Sequence, residues 1–108
     1  MAETIKVLAQ SNPVAATLTN AYTVPASTST VISSIVVCNR GAATSFRISI
    51  AVAGAANDDK QYLYYDIAIT ANNTFSAVLG ITLAATDVVR VYATLATLSF
   101  NIFGIEVT

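Results

Sequence analysis

The chain has 108 residues, of which 55% are hydrophobic and only 10% are charged, and its formal net charge is −1. A typical soluble domain carries about 25% charged residues, so this sequence is poor in charge for its length. The length predicts a single domain over residues 1–108. The composition predicts that part of its apolar surface contacts other subunits.

The types of side chain present argue against several classes of protein. The five cations are scattered along the chain, which disfavours a nucleic-acid-binding surface. The chain has no histidine, and one cysteine can form neither an internal disulfide nor a zinc, iron or copper site. No apolar run approaches the roughly 20 residues of a membrane-spanning helix, and the first residues lack a signal-peptide pattern. We therefore expect no membrane contact and synthesis in a cytoplasm.

Strand signals recur about every ten residues between clusters of Pro, Gly, Asn, Asp and Ser, and no segment repeats its apolar positions with a helical period. This pattern predicts an all-β protein. The predicted strands span residues 4–10, 16–24, 31–38, 45–52, 62–69, 74–83, 87–94 and 98–108. About eight strands suit an antiparallel β-sandwich, jelly-roll or immunoglobulin-like.

The predicted strand at 31–38 is apolar on both sides. Alternation places Val31, Ile35 and Val37 on one side and Ile32, Val36 and Cys38 on the other. Such a strand is typical of the centre of a sheet whose second face packs against another layer or subunit.

The stretch VVCNRGAATSFRIS, residues 36–49, contains the only cysteine. It predicts two paired strands joined by residues 39–44, with Cys38 as a small buried hydrophobic residue. Catalysis by the thiol requires a base, and no histidine is present, although the nearby Arg40 favours a reactive thiol. The strand that follows turns Arg47 outward and Val52 towards the core.

Residues 54–61 predict the most solvated loop. Asn57, Asp58 and Asp59 carry oxygen ligands, but they lack the alternating spacing of a calcium loop, so a hairpin tip is favoured. No carboxylate pair is placed for acid–base chemistry, and the four glycines stand alone, without a phosphate-binding motif. We therefore expect no enzyme activity, no metal and no cofactor.

The strand at 62–69 supplies most of the candidates for an interface. Alternation places Tyr62, Tyr64 and Asp66 on the side opposite to Leu63 and Tyr65. Tyrosine and arginine are enriched at protein interfaces, although tyrosine also packs on sheets without any partner. The predicted interface residues are Arg47, Tyr62, Tyr64, Asp66, Arg90 and Tyr92.

The last predicted strand changes phase along its length. Leu98, Phe100 and Ile102 share one parity, whereas Phe103 and the apolar residues after it follow the other. A slip of one residue near Gly104 predicts a β-bulge in this strand.

Several blocks together resemble a group of small virion structural proteins from tailed bacteriophages. These blocks are VLAQSNPVAATLTNAYTVP, STSTVISSIVVCNRGAATSFRISIA, YLYYDIAI, GITLAATDVVRVYA and LSFNIFGIEVT. The resemblance implies a non-enzymatic virion component that binds other copies of itself, as a trimer or larger ring, and the major capsid or tail protein. Capsid decoration or cementing is the first expectation, and a tail, neck or fibre component is the alternative.

A carbohydrate-binding β-sandwich module is a second hypothesis from a different class. Sugar sites use exposed aromatic rings beside carboxylates or amides, and alternation places Tyr62, Tyr64 and Asp66 on one strand face. The absence of tryptophan weakens this hypothesis.

Overall fold

Eight strands form two four-stranded antiparallel sheets in the computed structural model, which describes residues 2–108. The first sheet has the order β1-β8-β3-β6 and the second has the order β2-β7-β4-β5. The strands are β1 (Glu3–Ser11), β2 (Thr19–Thr23), β3 (Ser29–Asn39), β4 (Thr44–Ala51), β5 (Tyr62–Ile69), β6 (Thr74–Leu83), β7 (Val88–Ala93) and β8 (Leu98–Val107). The predicted antiparallel β-sandwich is confirmed.

The connections distinguish between the two predicted kinds of sandwich. Consecutive strands cross from one sheet to the other at every step except from β4 to β5. Eight strands connected in this way form a jelly roll, whereas an immunoglobulin domain has seven or nine strands in a different order.

The core lies between the two sheets and is built from alternate residues of their central strands. Phe46 on β4 and Phe100 on β8 are fully buried and meet edge to face, with ring centroids 6.1 Å apart. Ile35 on β3 and Val91 on β7 are also fully buried. Each such side chain contributes about 1.5–3 kcal/mol on burial, so the inward alternation holds the sheets together.

Most predicted strand ends differ from the structure by one or two residues, and two of the differences have a clear physical reason. The second strand begins at Thr19 rather than at residue 16, because Ala16 has a left-handed backbone (φ 54°) within a turn. The fourth strand ends at Ala51, and Val52, predicted to face the core, starts a 3₁₀ turn with 69% of its surface exposed. The chain leaves the sheet earlier than the alternation suggested.

The predicted loop at 54–61 is solvated except at Gln61, which is buried, and it contains a second short 3₁₀ turn, Asp59–Gln61. The Asp58 carboxylate caps this turn by accepting a hydrogen bond from the Lys60 backbone N–H (3.1 Å). Among residues 2–108, no helix is long and apolar enough to cross a membrane.

The predicted pairing of β3 with β4 is wrong. β3 pairs with β6 and β8, and residues 40–43 carry the chain across to β4 in the second sheet. Asn39, 1% exposed, holds this crossing: its Nδ2 donates to the carbonyls of Ala42 (2.9 Å) and Thr70 (3.1 Å). Its Oδ1 accepts from Gly41 N–H (3.0 Å) and the Thr97 hydroxyl (3.1 Å). The Asn39 side chain therefore joins the β3–β4, β5–β6 and β7–β8 connections.

The predicted bulge lies beside Gly104, but on the neighbouring strands. Leu8 in β1 and Ser33 in β3 each lack a partner residue on β8. A Cβ at Gly104 would lie 2.1 Å from the Val31 carbonyl oxygen and 3.0 Å from Leu8 Cδ1. Only a residue without a side chain allows both bulged strands to come so close.

These bulges correct the predicted faces of β3. Because Ser33 is an extra residue, Ile32 faces the core together with Ile35 and Val37, all fully buried. Cys38 lies on the outer face opposite Ser99 and is only half-buried, so the prediction of a buried cysteine is wrong.

We expect Gly104→Ala to lower the free energy of unfolding by about 1–3 kcal/mol or more, because the added methyl group overlaps the β3 backbone. Gly80→Ala is the matched control, since a Cβ there meets nothing within 4 Å, and its effect should stay within about 0.5 kcal/mol. Urea denaturation followed by circular dichroism measures both. Equal effects of the two substitutions would contradict the role given to Gly104.

Candidate interaction surfaces

Arg47 organises the outer face of the second sheet. Its guanidinium carbon lies 4.2 Å from the ring centroid of Tyr65 and 4.4 Å from that of Tyr92. Its Nε donates to Asp66 Oδ1 (2.6 Å) and its Nη2 to Oδ2 (3.4 Å). We call this region the tyrosine–arginine face; it comprises Arg47, Tyr62, Tyr65, Asp66, Arg90 and Tyr92.

The charge of Arg47 is compensated inside the chain. The hydrogen bond to Asp66 raises the pKa of Arg47 above its ordinary value, and the two flanking rings add cation–π contacts. Arg47 therefore fixes the positions of the rings around it. The group left to meet a partner is its neighbour Tyr65, which is 54% exposed.

Tyr64 is on the opposite side from that predicted. It packs on the core-facing Phe75, with ring centroids 5.4 Å apart, whereas Tyr65 lies outside against Arg47. The cause is the irregular pairing of β5 with β4, which includes a left-handed Asp66 (φ 51°). Tyr62 and Tyr65 consequently share the outer face, with their rings 4.9 Å apart at 84°.

Sequence alternation missed Tyr65 because it assumes a period of two throughout the strand. The available signal was Asp66, since aspartate tolerates left-handed backbone better than most residues and often marks an irregular strand position.

Arg90 and Tyr92, both predicted as interface residues, lie on the outer face of β7 beside Ser49 and Arg47. Arg90 Nε donates to Asn20 Oδ1 (3.0 Å) and its Nη2 to the Gly54 carbonyl (3.3 Å), which ties β7 to β2 and to the first 3₁₀ turn. Ser49, opposite Arg90 on β4, is fully buried, and its hydroxyl has no hydrogen-bond partner among the described residues.

A shallow depression of about 310 Å³ adjoins this face and is lined by Asp59, Tyr62 and Tyr65. The sequence predicted Tyr62, Tyr64 and Asp66 for a sugar site. The structure brings together a different set, because Tyr64 packs towards the core.

The outer face of the first sheet is a second and more apolar surface. Ile105 on β8 lies opposite both Ile5 on β1 and Val31 on β3, and Phe103 lies opposite Val7. We call this surface the apolar face; its hydrophobic side chains are Ile5, Val7, Val31, Val36, Val78, Phe103, Ile105 and Val107.

Several of these side chains are unusually exposed. Ile5 is 83% exposed, Val7 48% and Val78 87%. Glu3, opposite Val107, and Arg40, whose Nε donates to Ser99 Oγ (3.0 Å), lie at opposite ends of the face. The polar Gln10, Ser34 and Asn101 lie on the same side, so the contiguous apolar part is centred on Ile105 and its neighbours. Contiguous exposed apolar patches mark interaction sites in soluble proteins. The sequence pattern did not predict the apolar face, because it placed the bulge in β8 and not in β1 and β3.

A polar network closes one end of the sandwich. The Tyr22 hydroxyl donates to Glu106 Oε2 (2.6 Å) and lies 2.8 Å from Thr30 Oγ1, while Lys6 Nζ lies 3.0 Å from Glu106 Oε1. Burial and the neighbouring carboxylate raise the pKa of Tyr22 to about 12. The hydrogen bonds from Tyr22 and Lys6 lower the pKa of Glu106 below its usual 4.5.

The geometry offers no grouping typical of metal chemistry. Within residues 2–108, no group of three or more His, Cys, Asp or Glu side chains is placed to hold a metal ion. No family model, curated protein or solved structure matches this chain. The two outer faces are therefore the candidate functional surfaces.

We expect Glu106→Gln to destabilise the protein at neutral pH by about 1–2 kcal/mol, because a partly buried charge-assisted hydrogen bond is weakened. The folded-state pKa of Glu106 is lowered, so its contribution is present above pH 4.5 and is lost as the pH falls through the folded value. The difference in unfolding free energy between wild type and variant should therefore shrink from about pH 6 to about pH 3. Glu3→Gln, at an exposed position, is the control. A difference that stays constant with pH would contradict the assignment.

Proposed function

We propose that this protein is a non-enzymatic structural component of a tailed-phage virion that associates with its own copies and with the particle. The observation that carries the proposal is the apolar face. This sheet surface exposes isoleucine and valine side chains, and its charged residues, Glu3 and Arg40, lie only at its ends. The sequence resemblance supports it. The jelly roll supports it by analogy, because viral capsid proteins use this fold.

Such a component acts through the apolar area that it buries. Each square ångström of apolar surface removed from water contributes about 25 cal/mol, so a modest patch binds weakly alone. Repeated copies that bind together gain avidity, and closed symmetric assemblies provide this repetition. We propose a trimer or larger ring that binds the major capsid protein.

Within the particle, capsid decoration is the proposed location, where subunits bridge capsomers and oppose internal pressure. The alternative is a tail, neck or fibre component. Particles that lack the protein separate these locations: capsids that assemble but burst on osmotic shock support decoration, and missing tail features contradict it.

We expect purified wild-type protein to rebind particles that lack it and to restore their resistance to osmotic shock. Val7→Lys, which charges the apolar face, should reduce the bound copies about tenfold, equivalent to about 1.4 kcal/mol. Val14→Lys is the matched control, because Val14 is 71% exposed in the loop before β2 and lies on neither face. Co-sedimentation with the particles measures binding. Equal binding of the two variants would refute the role of the apolar face.

A second candidate function is carbohydrate recognition, favoured by the depression lined by Asp59, Tyr62 and Tyr65. In this mechanism a sugar ring stacks on the exposed Tyr65, and the Asp59 carboxylate accepts hydrogen bonds from the sugar hydroxyl groups. If this function is correct, a glycan array shows binding that Tyr65→Ala abolishes and Val14→Lys leaves unchanged. An array without signal for wild-type protein removes this candidate.

A further inference from the structure

Each sheet of the sandwich ends in two edge strands. The edges of the first sheet are β1 and β6, and those of the second sheet are β2 and β5. The unpaired backbone groups of an edge strand are a template for pairing with another chain. Natural proteins commonly blunt such edges with charges, proline, bulges or short strands.

Three of the four edges combine a register break with a second protective feature, either charged residues or a short strand. β2 has only five residues and a register break at Ala21. β1 carries Glu3 and Lys6 and is bulged at Leu8. β5 contains the exposed Asp66 in left-handed backbone and two breaks in its pairing with β4.

The fourth edge, β6, has neither charge nor proline. Its ten residues, TFSAVLGITL, lie within an uncharged segment that spans residues 70–86. It pairs regularly with β3 from Thr74 to Val78, and the register breaks only at Leu79 and Gly80. Among the described residues, β3 is its only strand partner. A Cβ at Gly80 would meet nothing within 4 Å, so the sheet face at the irregular part of the strand is also open.

The absence of charge identifies the partner that suits this edge. When two copies of a strand pair antiparallel about a two-fold axis, residues near the axis face their own copies. A charged residue there would face a like charge, which is destabilising. β6 has no charged residue along its whole length, whereas β1 and β5 carry charges.

We propose that β6 pairs antiparallel with β6 of a second copy of this chain, which joins two first sheets into one. Val78 of each copy then lies near the junction, on the same side as Val7 and Phe103. The two apolar faces become one continuous surface.

This inference rests on the self-association in the proposed function and specifies one of its contacts. A two-fold contact is compatible with a trimer or ring. In a closed shell, subunits that surround a three-fold axis also meet subunits of the neighbouring trimer across a two-fold axis. A single strand pair is weak, and many such contacts on one particle act together.

Hydrogen exchange measured amide by amide by NMR tests the pairing. In concentrated wild-type protein, the β6 amides that point away from β3 should exchange about tenfold more slowly than in dilute protein. The outward amides of β5 should exchange rapidly at both concentrations. A mixed sample of labelled and unlabelled protein should show contacts between β6 strands of different copies.

Three matched substitutions separate pairing at the β6 edge from contacts made by the rest of the apolar face. Val78→Lys, at an 87% exposed position on β6, should remove the concentration-dependent protection. Val7→Lys, on the opposite edge of the same sheet, and Val14→Lys, in a loop, should retain it. Circular dichroism and thermal unfolding check that each variant is folded.

Two results would overturn the inference. If wild-type protein forms oligomers by light scattering while the outward β6 amides exchange freely, the β6 contact is wrong and self-association through another surface stands. If Val7→Lys removes the protection as fully as Val78→Lys, the apolar face holds the copies together and the edge does not. Rebinding to particles is measured separately, so failure of the strand pairing is distinguishable from failure of the proposed function.

Discussion

The backbone of β3 passes so close to β8 that a Cβ at position 104 would lie 2.1 Å from the Val31 carbonyl oxygen. Gly104 removes this clash and lets Leu8 and Ser33 form bulges on both sides of β8 at the same level. The bulges set which residues of β1 and β3 point inward along the rest of each strand. The packed core and the composition of the apolar face thus depend on one missing side chain.

The few charged groups are mostly used within the chain. Arg47 binds Asp66, Lys6 binds Glu106, and the buried Asp87 accepts hydrogen bonds from the backbone N–H groups of Ala53 and Ala84, each at 2.9 Å. These contacts fasten turns and strand ends and leave little charge for a partner. An assembly built from such subunits relies on apolar area and backbone pairing, because its ion pairs are already formed.

The sequence predicted where strands begin and end better than it predicted their faces, even in β5 and β6, whose pairing is irregular. The bounds of β5 and β6 match the predicted 62–69 and 74–83, and the sandwich with its jelly-roll alternative was among the predictions. Faces were mispredicted where bulges change the parity, as at Ile32, Tyr64 and Tyr65. Bulges form because distant strands come into contact, and a local pattern carries no record of those contacts. The same holds for the crossing at Asn39, whose bonds join three connections that are far apart in sequence.

The pairing of β1 with β8 also affects the order in which the chain folds. Ala2 and Thr108 exchange backbone hydrogen bonds of 3.0 and 2.9 Å, and β8 lies between β1 and β3. During synthesis the first sheet cannot close until β8 leaves the ribosome, because β8 is its interior strand. Such non-local pairing slows folding and prolongs the exposure of apolar strands. The uncharged β6 is complete before β8 is made, so newly made chains are most prone to aggregation in the interval before β8 inserts between β1 and β3.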